Sequence, residues 1–282
     1  MNVNKVTIIG VGLIGASFAL ALKKNNIGSE IVGSGRTESN LKEALNKGII
    51  DSYDLDHREA CRDADLIVLA TPVGCFKDII SNIKPSLNDG VILIDVGSTK
   101  ANFISALEAE LPEGVSFVGT HPIAGSDRSG IGSSSADLFE GSACILIETG
   151  RTDAEVMDKV ESIWEKIGAR TSKMSADKHD RVFSSVSHLP HLVAYALVRT
   201  VTEIDPEYIK YAGQGFKDTT RIAMSSPELW ADVFNGNKVN IKEQLDILID
   251  SLKTLRDLAE SDDKAPLISL LNDIRISRAT IE

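Results

Sequence analysis

The sequence predicts an α/β protein, in which a Rossmann-type, doubly wound and mostly parallel sheet over residues 1–174 is followed by an all-helical domain over residues 175–282. Short, nearly continuous apolar runs alternate with helical patterns through the first segment. This alternation is typical of a parallel sheet that helices cover on both faces. From about residue 175 onward, almost only helical periodicity is found.

The first segment divides into elements at its turn residues. We predict strands at residues 5–10, 30–34, 65–71, 91–96, 115–120 and 144–148. Helical patterns lie between some of them, at residues 14–26, 38–47 and 77–83. A further helix and an edge strand are predicted at residues 153–167 and 169–174. The Gly- and Ser-rich residues 125–135 predict a mobile loop without regular structure.

The second segment carries two long apolar stripes with steps of three and four residues. They are formed by Val182, Val186, Leu189, Val193, Ala196 and Leu197, and by Leu245, Leu248, Ile249, Leu252, Leu255 and Leu258. We expect such stripes to pack against one another or against a second subunit.

Length, composition and net charge limit the classes of protein to which the chain can belong. With 282 residues, 43% of them hydrophobic, the chain can form one large or two ordinary packed domains. Its net charge of −11 argues against nucleic acid or an anionic membrane as a partner. Its three cysteines form no C-x-x-C pair, and neither a secretory signal nor a membrane-length apolar run is found. We therefore expect a soluble cytoplasmic protein with reduced cysteines.

A glycine-rich turn follows the first strand and reads Gly10-Val11-Gly12-Leu13-Ile14-Gly15. In this strand-to-helix context the pattern predicts a dinucleotide site. Gly10 would permit the tight turn, Gly12 the approach of a pyrophosphate, and Gly15 close packing of helix on strand. Leu13 and Ile14 open the helix, whose free N–H groups would hold the phosphates. A plain strand–helix turn is the alternative.

The second strand departs from the usual dinucleotide pattern at its end. An acidic residue that binds the ribose 2′-hydroxyl is expected there, but the sequence has Ser34, Arg36 and Thr37. A guanidinium and nearby hydroxyls suit a 2′-phosphate, so these residues favour NADP over NAD. The alternative is a solvated surface arginine in a protein that binds NAD.

Polar residues also follow the next three strands, where a parallel sheet binds its ligands. They are Thr71, Ser98 and His121, and the candidates Pro72 and Gly125 lie in the same segments. His121 could take a proton from a substrate hydroxyl, while Ser98 could hydrogen-bond the same hydroxyl or the imidazole. The alternative is a histidine that satisfies the backbone of its own loop.

The helical domain contributes further candidates. His188 and His191 are three residues apart and should share a helix face, with Pro190 kinking the helix between them. A metal site is not expected, because no Cys or paired acids complete a ligand set. Arg221 follows Lys217 by four residues and offers a cation in an acidic protein, with a solvated surface as the alternative.

The motifs together resemble those of the prephenate/arogenate (cyclohexadienyl) dehydrogenases of tyrosine biosynthesis. The resemblance covers nearly the whole chain and rests on IIGVGLIGASFALAL, DVGSTK, HPIAGS, SHLPH, GFKDTTRIA and ELWADVF, in that order. Each piece is short, but an unrelated Rossmann enzyme would not carry the later ones downstream of HPIAG.

The resemblance implies the oxidative decarboxylation of prephenate or arogenate, with hydride transfer to a nicotinamide and aromatisation of the ring. By that resemblance His121 assists deprotonation of the ring hydroxyl and Ser98 supports it. Arg221 would grip a substrate carboxylate. Other residues of these motifs would line the substrate pocket, namely His188, His191, Gly125 and Ser126. No regulatory domain follows the helical domain, so tyrosine feedback through such a domain is not expected.

Two alternatives stay open. A β-hydroxyacid dehydrogenase or imine reductase shares the two-domain plan, but would be expected to carry Lys or Asp on the interdomain helix, where this sequence has histidines. A non-catalytic NADP-binding protein would keep the fold without needing His121. The sequence does not decide between prephenate and arogenate.

Overall fold

The computed structural model describes residues 3–125 and 130–281. The chain forms two compact units that divide between Asn237 and Lys238. The first unit contains the sheet and the helices around it, and the second contains two long helices.

Eight strands form a single sheet in the described part of the chain. They are β1 (Lys5–Ile9), β2 (Glu30–Ser34), β3 (Ser52–Asp54), β4 (Leu66–Leu69), β5 (Ile92–Asp95), β6 (Ser116–Pro122), β7 (Ala143–Glu148) and β8 (Arg170–Ser175). Their order is β3-β2-β1-β4-β5-β6-β7-β8. Neighbouring strands are parallel except β6 and β7, which are antiparallel. This topology confirms the predicted doubly wound, mostly parallel sheet.

Helices follow most of the strands. In the first unit they are α1 (Leu13–Lys24), α2 (Glu38–Asn46), α3 (His57–Cys61), α4 (Phe76–Ile83), α5 (Ile104–Glu110), α6 (Ala154–Lys166), α7 (Ala176–Phe183), α8 (Leu189–Ile204), α9 (Gln214–Thr220) and α10 (Pro227–Gly236). The second unit contains α11 (Lys238–Glu260) and α12 (Ala265–Arg278). None of the helices described is both long and apolar enough to cross a membrane.

The core lies in two layers, one on each face of the sheet. Alternate residues of a strand belong to different layers: on β1, Val6 and Ile8 pack with Phe18 and Trp164. Ile9, by contrast, packs into the opposite layer. Because successive side chains of a strand point to opposite faces, apolar residues at nearly every strand position are buried. This explains why the strands read as continuous apolar runs.

Several elements differ from the predictions. The short elements β3, α3 and α5 were not predicted, because three to seven residues carry too little periodicity. β6 continues two residues beyond its predicted end, since its last residues pair with the antiparallel strand β7. Within the predicted loop, residues Ile131–Ser133 form a 3-10 turn in which Ile131 is buried, so the prediction of no regular structure was wrong there. Residues 126–129 of that loop lie outside the described residues.

The second unit leaves much of its apolar surface exposed. Ile241 is the one residue buried in its described part. The exposed large apolar side chains of these two helices are Val239, Leu245, Ile247, Ile249, Leu252, Ile268, Leu271, Ile274 and Ile276. Three residues of the predicted stripe, Leu245, Ile249 and Leu252, are therefore not covered within this chain.

Candidate active site

The register of the sheet brings the predicted site segments to one edge. Ile9 pairs with both Ser34 and Leu69, and Leu69 with Asp95. Asp95 in turn pairs with Gly119, two residues before His121. The glycine turn and the segments that contain Thr71, Ser98 and His121 therefore leave the sheet at its carboxyl edge, as predicted. Ligands of open parallel sheets bind at this edge.

The glycine turn has the geometry that a dinucleotide requires. Gly10 has a φ of +101°, and its N–H donates to the carbonyl of Ser34. A Cβ atom added to Gly15 would lie 2.2 Å from the carbonyl oxygen of Gly10, whereas one added to Gly12 would have no neighbour within 4 Å. Gly12 caps α1 without a side-chain bond, and Leu13 and Ile14 follow. The turn is thus closed by Gly10 and Gly15 and open at Gly12, which fits an approaching pyrophosphate.

The end of β2 presents a cation and a hydroxyl. Arg36 and Thr37 are exposed, and Thr37 begins α2 without a side-chain cap bond. The Ser34 side chain is buried, and its Oγ lies 2.7 Å from both the carbonyl oxygen of Asp54 and Nδ1 of His57. Since Ser34 donates its one hydrogen to Asp54, a 2′-phosphate would have to rely on Arg36 and Thr37.

The segment after β5 is fixed by a buried ion pair. Nζ of Lys100 lies 2.5 Å from Oδ2 of Asp95 and 2.7 Å from the carbonyl oxygen of Gly97, and both charged side chains are fully buried. The N–H of Gly97 also donates to Asp95. Ser98, which is half-buried, lies inside this closed loop. The loop therefore holds Ser98 rigidly at the sheet edge.

His121 is a buried residue of β6, placed within the strand rather than after it. Its Nδ1 lies 2.8 Å from Nε2 of His179, and its ring packs edge-on against Phe183. Burial lowers the pKa of His121 well below its usual range, and a positive charge on His179 or on Lys100 lowers it further. A neutral imidazole at this edge can accept a proton.

His179 and Asp180 of α7 are site residues that the sequence reasoning missed. Both are buried, and Nδ1 of His179 lies 2.8 Å from Oδ1 of Asp180. The carboxylate also accepts the backbone N–H groups of Lys100 and Ala101, each at 2.9 Å. The available signal was their spacing, because His179 and Asp180 precede Phe183 by four and three residues and so share its buried helix face.

The two predicted histidines of the helical segment lie around one tryptophan. The ring of His191 stacks on Trp230 with centroids 3.4 Å apart, and His188 meets the same ring edge-on at 6.1 Å. Trp230 belongs to α10, which begins at Pro227 with Ser226 as its cap. Residues Ser184–His188 form a π-helical turn. Pro190, which has no N–H to donate, falls in the first turn of α8 instead of kinking a helix interior.

His188 is buried and has an ordered tautomer. The side-chain amide of Asn237 lies 3.2 Å from Nδ1 of His188 and also donates to the carbonyl of Asp180 at 2.7 Å. Burial lowers the pKa of His188 to about 4, so the ring is neutral near pH 7. Because Nδ1 accepts from Asn237, Nε2 carries the hydrogen; among the described residues this buried atom has no hydrogen-bond partner of good geometry, although the backbone of Ser98 lies near enough to raise the pKa of His188. A ligand with an oxygen acceptor would satisfy it.

Three predicted substrate residues remain. Arg221 is exposed at the start of a 3-10 turn, Arg221–Met224, which packs beside α8. Gly125 is exposed, and a Cβ atom there would have no neighbour within 4 Å. Ser126 lies outside the described residues. Helix α10 closes onto the sheet edge, where Asp232 accepts the N–H of Gly74 at 3.0 Å.

Two protein-family models match the chain. Residues 18–173 match the nucleotide-binding domain of prephenate dehydrogenase, and residues 175–273 match its dimerization domain. The two matches meet within the last residues of β8, the final strand of the sheet.

Similar proteins agree with these matches. A prephenate dehydrogenase of Bacillus subtilis is 35% identical over 93% of this chain and 72% of its own length. A cyclohexadienyl dehydrogenase of Zymomonas mobilis is 33% identical over 98% and 96%. The crystal structure of prephenate dehydrogenase from A. aeolicus, in complex with hydroxyphenyl propionate and NAD+, is 36% identical and covers 100% of this chain and 99% of its own, with a TM-score of 0.95. The chain therefore belongs to the prephenate dehydrogenase family, and the protein is a dehydrogenase.

Proposed function

We propose that the protein catalyses the oxidative decarboxylation of prephenate, arogenate or both in tyrosine biosynthesis, with NADP as the hydride acceptor. The observation that carries this proposal is a buried, neutral His121 at the same sheet edge as an open glycine turn. The related A. aeolicus structure supports the substrate class, because its ligand is a phenol with a carboxylate-bearing side chain; that structure holds NAD+, and the proposal of NADP for this chain rests on Arg36 and Thr37.

In this mechanism the chain orients two reactants and manages one proton. A bound oxidised nicotinamide would supply the acceptor for a hydride from the ring carbon that bears the hydroxyl. His121 takes the hydroxyl proton through Nε2, and Ser98 supports the same hydroxyl. The ring carboxylate leaves as CO₂, the electron pair of the broken C–C bond makes the ring an aromatic phenolate, and the proton held by His121 returns to the phenolate oxygen. The chain therefore needs a base and binding groups, but no nucleophile.

Substrate binding is assigned to residues outside the sheet. Arg221 binds a substrate carboxylate, since a dianionic substrate that enters a protein of net charge −11 needs a local cation. His188 would donate from Nε2, which has no partner of good geometry among the described residues, to an oxygen of the bound ligand. His191 and Gly125 would line the remainder of the pocket.

The cofactor is assigned to the glycine turn and its neighbours. Gly10, Gly12, Leu13, Ile14 and Gly15 would hold the pyrophosphate, and Thr71 and Pro72 the nicotinamide side of the crevice. Ser34 would support the ribose site indirectly, because the hydrogen bond from its hydroxyl to Asp54 fixes the end of β2. Arg36 and Thr37 would bind the 2′-phosphate.

We further propose that residues 175–282 form the substrate and dimerisation domain and residues 1–174 the dinucleotide-binding domain. The exposed apolar side chains of α11 and α12 support a homodimer, because large exposed apolar faces mark protein contacts. A solution mass of twice 30.4 kDa is the direct measurement.

The substrate assignment is tested by steady-state kinetics with prephenate, arogenate and a simple 3-hydroxy acid, each with NADP and with NAD. We expect turnover of at least one cyclohexadienyl substrate, and none of the 3-hydroxy acid. Turnover of the 3-hydroxy acid alone would replace the proposal by the β-hydroxyacid dehydrogenase alternative. Cofactor binding without any turnover would favour a non-catalytic protein.

Replacing Arg36 by alanine tests the cofactor assignment. We expect KM for NADP to rise by about 10-fold or more and KM for NAD to change little, because a charge-assisted bond to phosphate is strong and NAD has no 2′-phosphate. Steady-state kinetics with both cofactors measures the difference. The control is Lys42→Ala, which removes another exposed cation from the same region, on α2. Equal effects of Arg36→Ala on both cofactors would mean that Arg36 is a solvated surface residue that does not bind the 2′-phosphate.

A further inference from the structure

We propose that His179 and Asp180 are positioning residues that hold His121 in the tautomer whose Nε2 carries the lone pair; this inference builds on the proposed role of His121 as the base. The three side chains form one line of hydrogen bonds. Nδ1 of His121 lies 2.8 Å from Nε2 of His179, and Nδ1 of His179 lies 2.8 Å from Oδ1 of Asp180. All three are buried.

The direction of each bond follows from the carboxylate. Oδ1 of Asp180 accepts the N–H of Lys100, and Oδ2 accepts the N–H of Ala101. A carboxylate that receives two backbone donors acts as an acceptor, so His179 must donate its Nδ1 hydrogen to it. Nε2 of a neutral His179 is then an acceptor, and His121 must donate its own Nδ1 hydrogen. The lone pair of His121 is left on Nε2.

Packing prevents the rings from turning to another arrangement. Phe183 lies against both imidazoles, with centroids 4.9 Å from His121 and 4.6 Å from His179. The carbonyl of Asp180 accepts the amide of Asn237, which fixes the main chain behind the carboxylate. In the other tautomer of His179, the lone pair on Nδ1 would face a lone pair of the Asp180 carboxylate in a buried site, which is unfavourable.

The same line of bonds also stabilises the protonated base. When Nε2 of His121 takes the substrate proton, the ring gains a positive charge in a buried place, which desolvation opposes. The negative charge of Asp180 reaches that ring through His179, so the charge is partly offset without movement of a second proton. The other titratable groups around His121 are Asp95, Lys100, Cys144 and His188.

Three variants test the positioning role. His179→Leu removes the acceptor, and we expect kcat to fall about 100-fold while KM and the cofactor Kd change less than about 3-fold. His179→Gln offers an amide oxygen to His121 and should recover about 10-fold of that loss. Asp180→Asn removes the negative charge that offsets the His121 imidazolium, and its amide cannot accept the N–H groups of both Lys100 and Ala101, so kcat should also fall.

The pH profile separates positioning from a merely structural role. In His179→Leu the imidazolium of His121 loses its acceptor, so the acidic limb of the kcat profile should move to lower pH. Asp177→Asn, an exposed position on the same helix, is the matched control and should keep the wild-type kcat and profile. Thermal unfolding and cofactor titration verify that each variant is folded.

Nitrogen-15 NMR of the five histidines in the unmodified enzyme gives a test that needs no variant. We expect Nδ1 of both His121 and His179 to carry hydrogen, and Nε2 of both rings to be bare. The reverse tautomer at either ring would overturn the proposal. So would wild-type kcat and pH profile in folded His179→Leu and Asp180→Asn proteins, provided His121→Asn is inactive; an active His121→Asn enzyme would instead refute the proposed function.

Discussion

The variant His121→Asn is expected to lose turnover by about 100-fold to 10,000-fold while it still binds the nicotinamide cofactor. This is the range of a positioned general base, and asparagine cannot take up the proton. The cofactor turn is formed by the segment after β1, which His121 does not contact in the described bonds. Single-turnover kinetics with saturating substrate and a cofactor titration measure the two effects separately.

A stability measurement must accompany this prediction, because an unfolded variant would also lose turnover. The amide of asparagine can still donate to Nε2 of His179, but the smaller side chain loses the ring packing on Phe183, which costs about 0.5–3 kcal/mol. Denaturant unfolding therefore has to show that the variant is folded at the assay temperature. Wild-type turnover by a folded His121→Asn protein would remove His121 from the mechanism.

The second large effect is expected at the glycine turn, where two neighbouring alanine substitutions should act on different properties. Gly15→Ala places a Cβ atom 2.2 Å from the carbonyl oxygen of Gly10, which is backbone and cannot yield by a rotamer change. Overpacking of this kind costs about 1–3 kcal/mol, more than the gain of up to about 1 kcal/mol in helix propensity. Gly15→Ala should therefore lower the free energy of unfolding.

Gly12→Ala is its matched partner. The added Cβ atom meets no protein atom within 4 Å, so the free energy of unfolding should stay the same or rise slightly. The methyl group would occupy the space that the pyrophosphate needs, and cofactor affinity should fall about 10-fold or more. Urea unfolding measures the change in the free energy of unfolding of both variants, and cofactor titration measures the change in their affinity. Tight cofactor binding by Gly12→Ala would place the pyrophosphate elsewhere.

Much of the fold could be predicted because its signals are local. The buried strands carry continuous apolar runs, and the glycine turn, the cap at Ser226 and Pro227 are each defined by a few neighbouring residues. Elements such as β3 and α3, with three and five residues, are formed mainly because neighbouring strands and helices support them. The antiparallel pairing of β7 likewise depends on contacts with β6 that no local pattern encodes.

The sequence predicted individual residues of the candidate site, but it did not predict the contacts between them. The positions of His121, Ser98 and His188 were indicated by strand ends and motifs. The links between distant residues were not, since His179 lies 58 positions from His121 and Asp180 lies 80 from Lys100. The fully buried Lys100 is a further example: its charge suggests the surface, and only its pairing with Asp95 explains its burial.

The π-helical turn at Ser184–His188 constrains how this protein can evolve. His179 and His188 are nine residues apart, which in an unbroken α-helix is roughly two and a half turns and would put them on opposite sides. The wider turn lets both rings be buried next to Asp180 and Asn237. Insertions and deletions should therefore accumulate in exposed turns such as residues 261–264, while a one-residue deletion between His179 and His188 should be eliminated by selection, although the segment is helical throughout.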